Sequence, residues 1–149
     1  MAILLDTNVL VRLANAGDAS FAVALHAVTA LHGRRETIHI TAQNLVEFRS
    51  VATRPLSMNG LGFDGLKAEN EAAEFEATFP LLPETPKIFL AWKSLIGATG
   101  AIGKQVHDAR LVAVCHAHQI SQLMTFNVGH FARYAAFAPG VTVIDPRTV

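Results

Sequence analysis

The first half of the chain alternates short apolar runs with segments of helical periodicity. Residues 3–5, Ile-Leu-Leu, form a continuous apolar run typical of a strand buried on both faces. This run ends at Asp6-Thr7-Asn8, three residues of helix-capping type. The pattern predicts a second strand over residues 37–40, and helices over 9–14, 18–32 and about 41–53, the last ended by Pro55.

The second half continues this alternation after a loop at residues 55–65, which contains three glycines and a proline. Periodicity predicts helices over 64–78, 88–96 and 104–118, and strands over 123–126 and 141–144. Three prolines predict a turn between the first two of these helices: Pro80, Pro83 and Pro86. Strands that alternate with helices indicate an α/β domain with a mostly parallel central sheet, flanked by helices on both faces.

Composition limits the classes of protein that this pattern can represent. With 149 residues, of which 51% are apolar and 16% charged, we expect one folded domain over residues 1–149. The 12 basic and 12 acidic residues cancel, so any binding of nucleic acid must depend on local charge. One cysteine, no basic segment before the first apolar run and no run long enough to cross a bilayer favour a cytoplasmic protein without membrane contact.

Candidate chemistry lies where polar residues follow predicted strands or interrupt apolar helices. In a parallel sheet the active crevice lies beyond the carboxyl ends of the strands, which is where Asp6 and Asn127 fall. Glu47 and Asp108 occur in apolar helical contexts, where a charged carboxylate is costly unless it is paired or binds a metal. These four oxygen-bearing side chains suit a hard cation such as Mg²⁺ or Mn²⁺.

Each of these residues also has an ordinary structural role to be weighed. Asp6 can cap the first helix, and Asp108 can complement the dipole of its own helix from the first turn. Glu47 can pair with Arg49 or Arg110, and Asn127 can be a turn residue. Taken one at a time, therefore, the four residues do not define a site.

Taken together, these residues lie in segments that resemble the PIN-domain ribonucleases, especially the toxins of VapBC-type toxin–antitoxin pairs. The resemblance rests on LLDTNVLVRL, TAQNLVEFRSVATRP followed by NGLG, HDARLVAVCHAHQISQLMTFNVGHF and the closing VTVIDP. It spans nearly the whole chain and implies a compact α/β fold with a divalent-metal site at the strand ends. The implied activity is endonucleolytic cleavage of RNA.

The resemblance assigns roles to particular residues of this chain. Asp6, Glu47 and Asp108 match the three core acidic positions, and Asn8 and Thr125 match polar positions that support them. At the fourth acidic position, where many relatives have Asp, this chain has Asn127. A neutral carbonyl would hold a second cation less firmly, so the departure leaves open whether one metal or two would act.

The resemblance further implies an RNA substrate, a cognate antitoxin protein and a homodimer. Because the chain is neutral and the site acidic, nearby cations must receive the RNA backbone, and the candidates are Arg49, Arg54, Lys104, Arg110 and Arg133. The alternative is a catalytically weak or inactive PIN-like module that binds RNA or protein. The DTN start is also similar to the aspartyl-nucleophile motif of haloacid-dehalogenase-type phosphatases, but that motif has a second Asp where this chain has Asn8, which makes it a poor alternative.

Overall fold

The computed structural model describes all residues, 1–149, as one α/β domain. Five short strands build the sheet, namely β1 (Ala2–Leu5), β2 (Thr37–Thr41), β3 (Leu81–Leu82), β4 (Gln122–Met124) and β5 (Thr142–Ile144). Seven α-helices connect and cover them: α1 (Thr7–Leu13), α2 (Phe21–Gly33), α3 (Ala42–Ala52), α4 (Gly65–Thr78), α5 (Pro86–Thr99), α6 (Gln105–His118) and α7 (Val128–Phe131). No helix is long and apolar enough to cross a membrane.

All the strand pairs are parallel, and the strand order is β3-β2-β1-β4-β5. The central strand β1 pairs with β2 on one side and with β4 on the other, with Leu4 opposite both His39 and Leu123. Because the strands are parallel, their carboxyl ends meet at one edge of the sheet. This edge receives the residues that follow β1, β4 and β5.

Two apolar cores lie on the two faces of the sheet. Ile3 and Leu5 of β1 point into a core formed with α1–α4, where Phe48 and Phe75 meet edge to face at 5.1 Å between ring centroids. Leu4 points into the opposite core, formed mainly with α5 and α6. These three β1 side chains are fully buried, so the prediction of a central strand covered on both faces is confirmed.

The structure corrects several predicted element boundaries. The proline-punctuated turn contains the two-residue strand β3, and α5 begins at Pro86, two residues before the predicted start. Strand β4 ends at Met124, so Thr125 and Phe126 belong to the segment after it, and the short helix α7 was not predicted. The glycine-rich loop folds back on itself, with the Gly62 N–H donating to the Arg54 carbonyl at 2.9 Å, and at Gly60 an added Cβ would lie 1.9 Å from that carbonyl oxygen.

Candidate active site

Asp6 lies at the carboxyl edge of the sheet, between β1 and α1. Its backbone N–H donates to the Met124 carbonyl at 2.9 Å, which keeps the chain in register with β4 beyond the end of β1. The residue is 8% exposed, and its Oδ2 accepts hydrogen bonds from Thr125 Oγ1 at 2.7 Å and from Asn8 Nδ2 at 3.0 Å. Asp6 therefore has a fixed orientation without making a side-chain cap on α1.

Asn8 and Thr125 hold the two chain segments of this edge together. Asn8 Nδ2 also donates to Thr125 Oγ1 at 3.0 Å, and Asn8 Oδ1 accepts the N–H of Phe126 at 3.2 Å. Thr125 Oγ1 additionally accepts the N–H of Asn127 at 3.0 Å. Both residues expected to support the site thus contact Asp6 directly.

Glu47 approaches the same edge from α3. This helix begins beside the end of β1, where the fully buried Asn44 donates from Nδ2 to the Leu5 carbonyl at 3.1 Å. Glu47 lies one turn further along α3, is half-buried, and accepts a hydrogen bond from Thr7 Oγ1 at 3.3 Å. The α3 helix therefore presents Glu47 next to the segment that carries Asp6.

Asp108 comes from the first turn of α6 and is half-buried. Burial raises its pKa to about 6, and the negative charges of Asp6 and Glu47 add to this effect, while His130 and Arg133 oppose it. None of the side-chain hydrogen bonds in the structure ends on its carboxylate. Asp108 is therefore electrostatically coupled to the other two acids without being fixed by a protein donor.

Burial also raises the pKa values of Asp6 and Glu47. For Asp6, the Thr125 hydroxyl and the amides of Thr7 and Asn8 oppose the rise, and His130 contributes in the same direction. For Glu47, Gln43 opposes the rise and the charge of Asp6 adds to it. Burial disfavours the charge of all three carboxylates, and the charge of Asp6 adds to this effect at Glu47 and Asp108, so a cation would stabilise their ionised forms.

The donor set fits a hard divalent cation in its chemistry, because it consists of carboxylate oxygens that lack positive protein partners of their own. The side chains are not drawn into a closed cluster, since no three His, Cys, Asp or Glu residues are arranged to hold a metal by themselves. Mg²⁺ commonly keeps several waters and uses only one or two protein carboxylates directly. The arrangement therefore suits an ion held partly through water.

Asn127 and the predicted substrate-binding cations differ in their surroundings. Asn127 is exposed, and its side chain makes no hydrogen bond, not even as a cap of α7. Arg49 is paired with Glu69 at 2.5 Å, and Arg110 with Glu84 at 2.6 Å. The other three cations make no salt bridge, and they are the half-buried Arg54 and the exposed Lys104 and Arg133.

Three residues near the site were not selected from the sequence. Thr7 and Asn44 are linked to Glu47 by hydrogen bonds, and Arg12 donates from Nη1 to the Asn8 carbonyl at 3.2 Å. The Arg12 guanidinium also lies 4.7 Å from the ring centroid of Phe126. Of the three, Arg12 could have been identified from the sequence, because it lies four residues after Asn8 on α1 and therefore on the same face of the helix.

Fold and site together define an α/β domain with an acidic site at the carboxyl edge of a parallel sheet. The family model described as "PIN domain" matches residues 3–136. The chain therefore belongs to the PIN domain family, as the resemblance of its motifs predicted. Proteins of this family are generally nucleases.

Solved structures with the same fold include chains of toxin–antitoxin complexes. A chain of VapBC2 from Rickettsia felis, bound to a DNA fragment from its promoter, superposes with a TM-score of 0.71 at 17% identity, covering 97% of this chain and 98% of that one. A chain of VapBC-1 from nontypeable Haemophilus influenzae superposes with a TM-score of 0.68 at 15% sequence identity, and the match covers 98% of both chains. A chain of a toxin–antitoxin complex from Klebsiella pneumoniae superposes with a TM-score of 0.64 at 22% identity, and the match covers 97% of both chains. No curated protein sequence matches the chain.

Proposed function

We propose that this protein is a metal-dependent endoribonuclease that hydrolyses RNA phosphodiester bonds as the toxin subunit of a toxin–antitoxin pair. The observation that carries the proposal is the convergence of Asp6, Glu47 and Asp108 from three separate segments: the charge of Asp6 raises the pKa of Glu47, and the charges of Asp6 and Glu47 raise the pKa of Asp108. Structural ion pairs would instead place arginine or lysine against these carboxylates. Here none of the three takes part in a salt bridge.

The three carboxylates would hold Mg²⁺ or Mn²⁺, directly or through water, with Asn127 as a further ligand when substrate is present. Such an ion, when bound, supplies polarisation of the phosphoryl oxygens and a more acidic water. Thr125 and Asn8 keep Asp6 in one orientation through their hydrogen bonds to Oδ2. Hydrolysis forms a bond from water oxygen to phosphorus and breaks the bond to the leaving ribose oxygen, without a covalent enzyme intermediate.

RNA has to approach an acidic site on a chain of zero net charge. Lys104 precedes α6, and Arg133 is close enough to oppose the rise in the pKa of Asp108. Both are exposed and form no salt bridge, so they are available for phosphate contacts. Arg49 and Arg110 would first have to leave Glu69 and Glu84, which makes them weaker candidates.

Two protein partners belong to the proposal: a cognate antitoxin and a second copy of this chain. The structural neighbours support the first, since they come from toxin–antitoxin complexes. Two groups of large exposed apolar side chains could form the contacts with these partners. One group lies around α3 and α4 and the other around α5: Val46, Leu56, Met58 and Leu66, and Phe89, Leu90 and Phe137. We place the protein in the cytoplasm, where RNA is available.

Cleavage of labelled single-stranded RNA tests the activity directly. Purified protein is incubated with RNA, or with DNA of the same sequence, in chelator, Mg²⁺ or Mn²⁺. We expect internal cleavage of RNA that requires the metal and is lost in the triple variant Asp6→Asn, Glu47→Gln, Asp108→Asn. Binding of RNA without cleavage in either metal would instead establish the binding module that is the alternative function.

A further inference from the structure

A line of hydrogen bonds leads from the start of α3 to Glu47. Asn44 Nδ2 donates to Thr7 Oγ1 at 3.1 Å, and Thr7 Oγ1 donates to Glu47 Oε1 at 3.3 Å. Asn44 is fully buried and Thr7 is 6% exposed, so water does not compete for these groups. The line joins α3 to the segment that follows β1.

The orientation of the Asn44 amide is determined by Thr41. Asn44 Oδ1 accepts the backbone N–H of Thr41 at 2.8 Å and its hydroxyl at 3.1 Å, in the capping box of α3. A flipped amide would turn its own N–H₂ towards the N–H of Thr41, and the 2.8 Å hydrogen bond from that N–H would be lost. The Nδ2 group must therefore face Leu5 O and Thr7 Oγ1.

The direction of the Thr7 hydroxyl follows from this orientation. Because Oγ1 accepts from Asn44, its single proton is left for another acceptor, and Glu47 Oε1 is the acceptor within reach. Thr7 thus holds one oxygen of Glu47 on the protein side. The other oxygen of Glu47 accepts none of the geometrically defined hydrogen bonds, although the Gln43 amide stabilises the charge of this carboxylate.

Asp6 is held by a similar arrangement of an asparagine amide and a threonine hydroxyl. There Asn8 Nδ2 donates to Thr125 Oγ1 at 3.0 Å, and Thr125 Oγ1 donates to Asp6 Oδ2 at 2.7 Å. Two carboxylates of the site are therefore each held by an asparagine amide acting through a threonine hydroxyl. Asp108 has no such partner, so the metal site has two oriented ligands and one free to adjust.

We propose that Asn44 and Thr7 are positioning residues that orient Glu47 for the cation, through the line Asn44 to Thr7 to Glu47. This role rests on the proposed metal-dependent function and assigns two residues that lie outside the set inferred from the motifs. The 3.3 Å contact is longer than the usual 2.5–3.0 Å for a hydroxyl donor. Its effect on cation affinity is accordingly about tenfold, the lower end for groups that support metal ligands.

Calorimetric titration with Mn²⁺ tests the role of the Thr7 hydroxyl in variants of similar shape. Thr7→Val replaces the hydroxyl with a methyl group of similar size and is expected to weaken binding about tenfold, whereas Thr7→Ser keeps the hydroxyl and should bind within about twofold of wild type. Thr142→Val, at the amino end of β5 and the opposite edge of the sheet, is the control. Equal losses in Thr7→Val and Thr7→Ser would overturn the proposal, because packing would then explain both.

Coupling to Glu47 supplies the second criterion. In a Glu47→Gln background, Thr7→Val should cost no further Mn²⁺ affinity; an undiminished tenfold cost would show that Thr7 acts elsewhere. Asn44→Leu, with folding checked by circular dichroism, should weaken binding at least as much as Thr7→Val. Retention of wild-type affinity in folded Asn44→Leu would remove Asn44 from the line.

A measurement on the metal-free protein separates this proposal from the proposed function. NMR couplings should report one dominant side-chain rotamer of Glu47 in wild type and rotamer averaging in Thr7→Val. If wild type binds no Mn²⁺ but this difference is present, the nuclease function fails while the orienting contact stands. If wild type binds Mn²⁺ and cleaves RNA but the Glu47 rotamers are unchanged in Thr7→Val, the positioning role fails alone.

Discussion

Asp6 carries the densest set of contacts in the site. Two side-chain donors reach its Oδ2, while burial disfavours its charge and its own charge raises the pKa values of Glu47 and Asp108. A carboxylate that served stability alone would be expected to gain a cationic partner. The hydrogen bonds instead orient Asp6 without neutralising it, which is the condition a cation ligand requires.

Asp6→Asn should therefore abolish cleavage without unfolding the protein. The amide oxygen can still accept from Thr125, and removal of a charge relieves repulsion, so we expect an unchanged or higher melting temperature without metal. Cleavage should fall at least about 100-fold, the upper end of the effects seen for groups that only support metal ligands.

RNA cleavage and thermal unfolding of this variant are measured together, with and without Mg²⁺. Glu76→Gln, an exposed carboxylate on α4, is the control and should behave as wild type. Near-wild-type cleavage by Asp6→Asn would remove Asp6 from the site. A large fall in its melting temperature would indicate a structural role.

At this scale the sequence predicted residues whose position follows from local context. Asp6 follows an apolar strand run, and Asn8 and Thr125 stand in the motifs of the resemblance, so all three could be selected in advance. Asn44 could not, because its hydrogen bonds reach Leu5 and Thr7, which lie 39 and 37 residues away in the chain. Such pairings depend on how α3 docks against β1, which no local pattern encodes.

At the scale of elements, long periodic segments were predictable and short ones were not. The continuous apolar run of β1 and the helical spacing of α2, α4 and α6 identified these elements to within a few residues. Strand β3 has two residues between prolines, and α7 has four, so neither is long enough to show a period. Strand β3 forms because it pairs with β2, and this tertiary contact is not encoded in the local sequence.

The turn between β4 and α7 brings Asn127 beside Thr125, since the Asn127 N–H donates to Thr125 Oγ1. Asn127→Asp would add a carboxylate next to the acids of the site. We expect tighter Mn²⁺ binding, preserved or increased cleavage at limiting metal, and lower metal-free stability that salt partly restores. Asn127→Ala should weaken binding only modestly, because it removes a neutral ligand.

Calorimetric titration of wild type and these two variants decides the role of Asn127. Its exposure means that repulsion is screened, so the metal-free destabilisation should stay below about 1 kcal/mol. Identical Mn²⁺ affinities in all three proteins would show that Asn127 is a turn residue and that the site consists of Asp6, Glu47 and Asp108.

The segments around α6 and α7 also carry two of the predicted RNA-binding cations that make no salt bridge, Lys104 and Arg133. Lys104→Ala and Arg133→Ala should each raise the KM for RNA several-fold and lower the salt dependence of binding, since each removes one phosphate contact. Arg49→Ala and Arg110→Ala should have smaller effects because these cations are already paired. Steady-state cleavage of a short RNA at several salt concentrations measures this.

Arg34→Ala is the control for these cation variants, because Arg34 follows α2 and lies at the opposite edge of the sheet. Its KM should be unchanged. If all five variants bind RNA alike, the RNA path lies elsewhere on the surface, and Arg12 beside Asn8 becomes the next candidate.

For the whole molecule, the acidic site costs stability. The pKa values of Asp6, Glu47 and Asp108 are raised in the folded state, so the folded protein binds more protons than the unfolded chain between the two sets of pKa values. In their protonated forms, at low pH, the three carboxyl groups favour the folded state relative to the pH where they are charged. This contribution to the free energy of unfolding is lost as pH rises through their folded pKa values. Asp145, whose pKa is lowered by Arg147, acts in the opposite sense.

Metal-free wild type should therefore lose stability relative to Asp108→Asn as pH rises from 3.8 to about 6, the ordinary and the raised pKa of this carboxyl. The group is half-buried, so after discounting for solvent screening we expect a difference of about 1 kcal/mol. Urea unfolding of both proteins at a series of pH values measures it. A difference that is independent of pH would contradict the raised pKa of Asp108.

Divalent cations should reverse this cost in the complete protein. An ion that binds only the folded state stabilises it by about 2.7 kcal/mol at ~100 times its dissociation constant, or about 5–10 °C in melting temperature for a chain of this size. Because the ligands bind as carboxylates, the stabilisation by the cation should grow from pH 5 to pH 7.5, opposite in sign to the trend without metal.

Thermal unfolding in Mg²⁺, Mn²⁺ and chelator at both pH values measures this stabilisation, with the Asp6, Glu47, Asp108 triple variant as control. An equal shift in wild type and triple variant would show that the cation acts elsewhere on the protein, and no shift with no cleavage would favour the binding module.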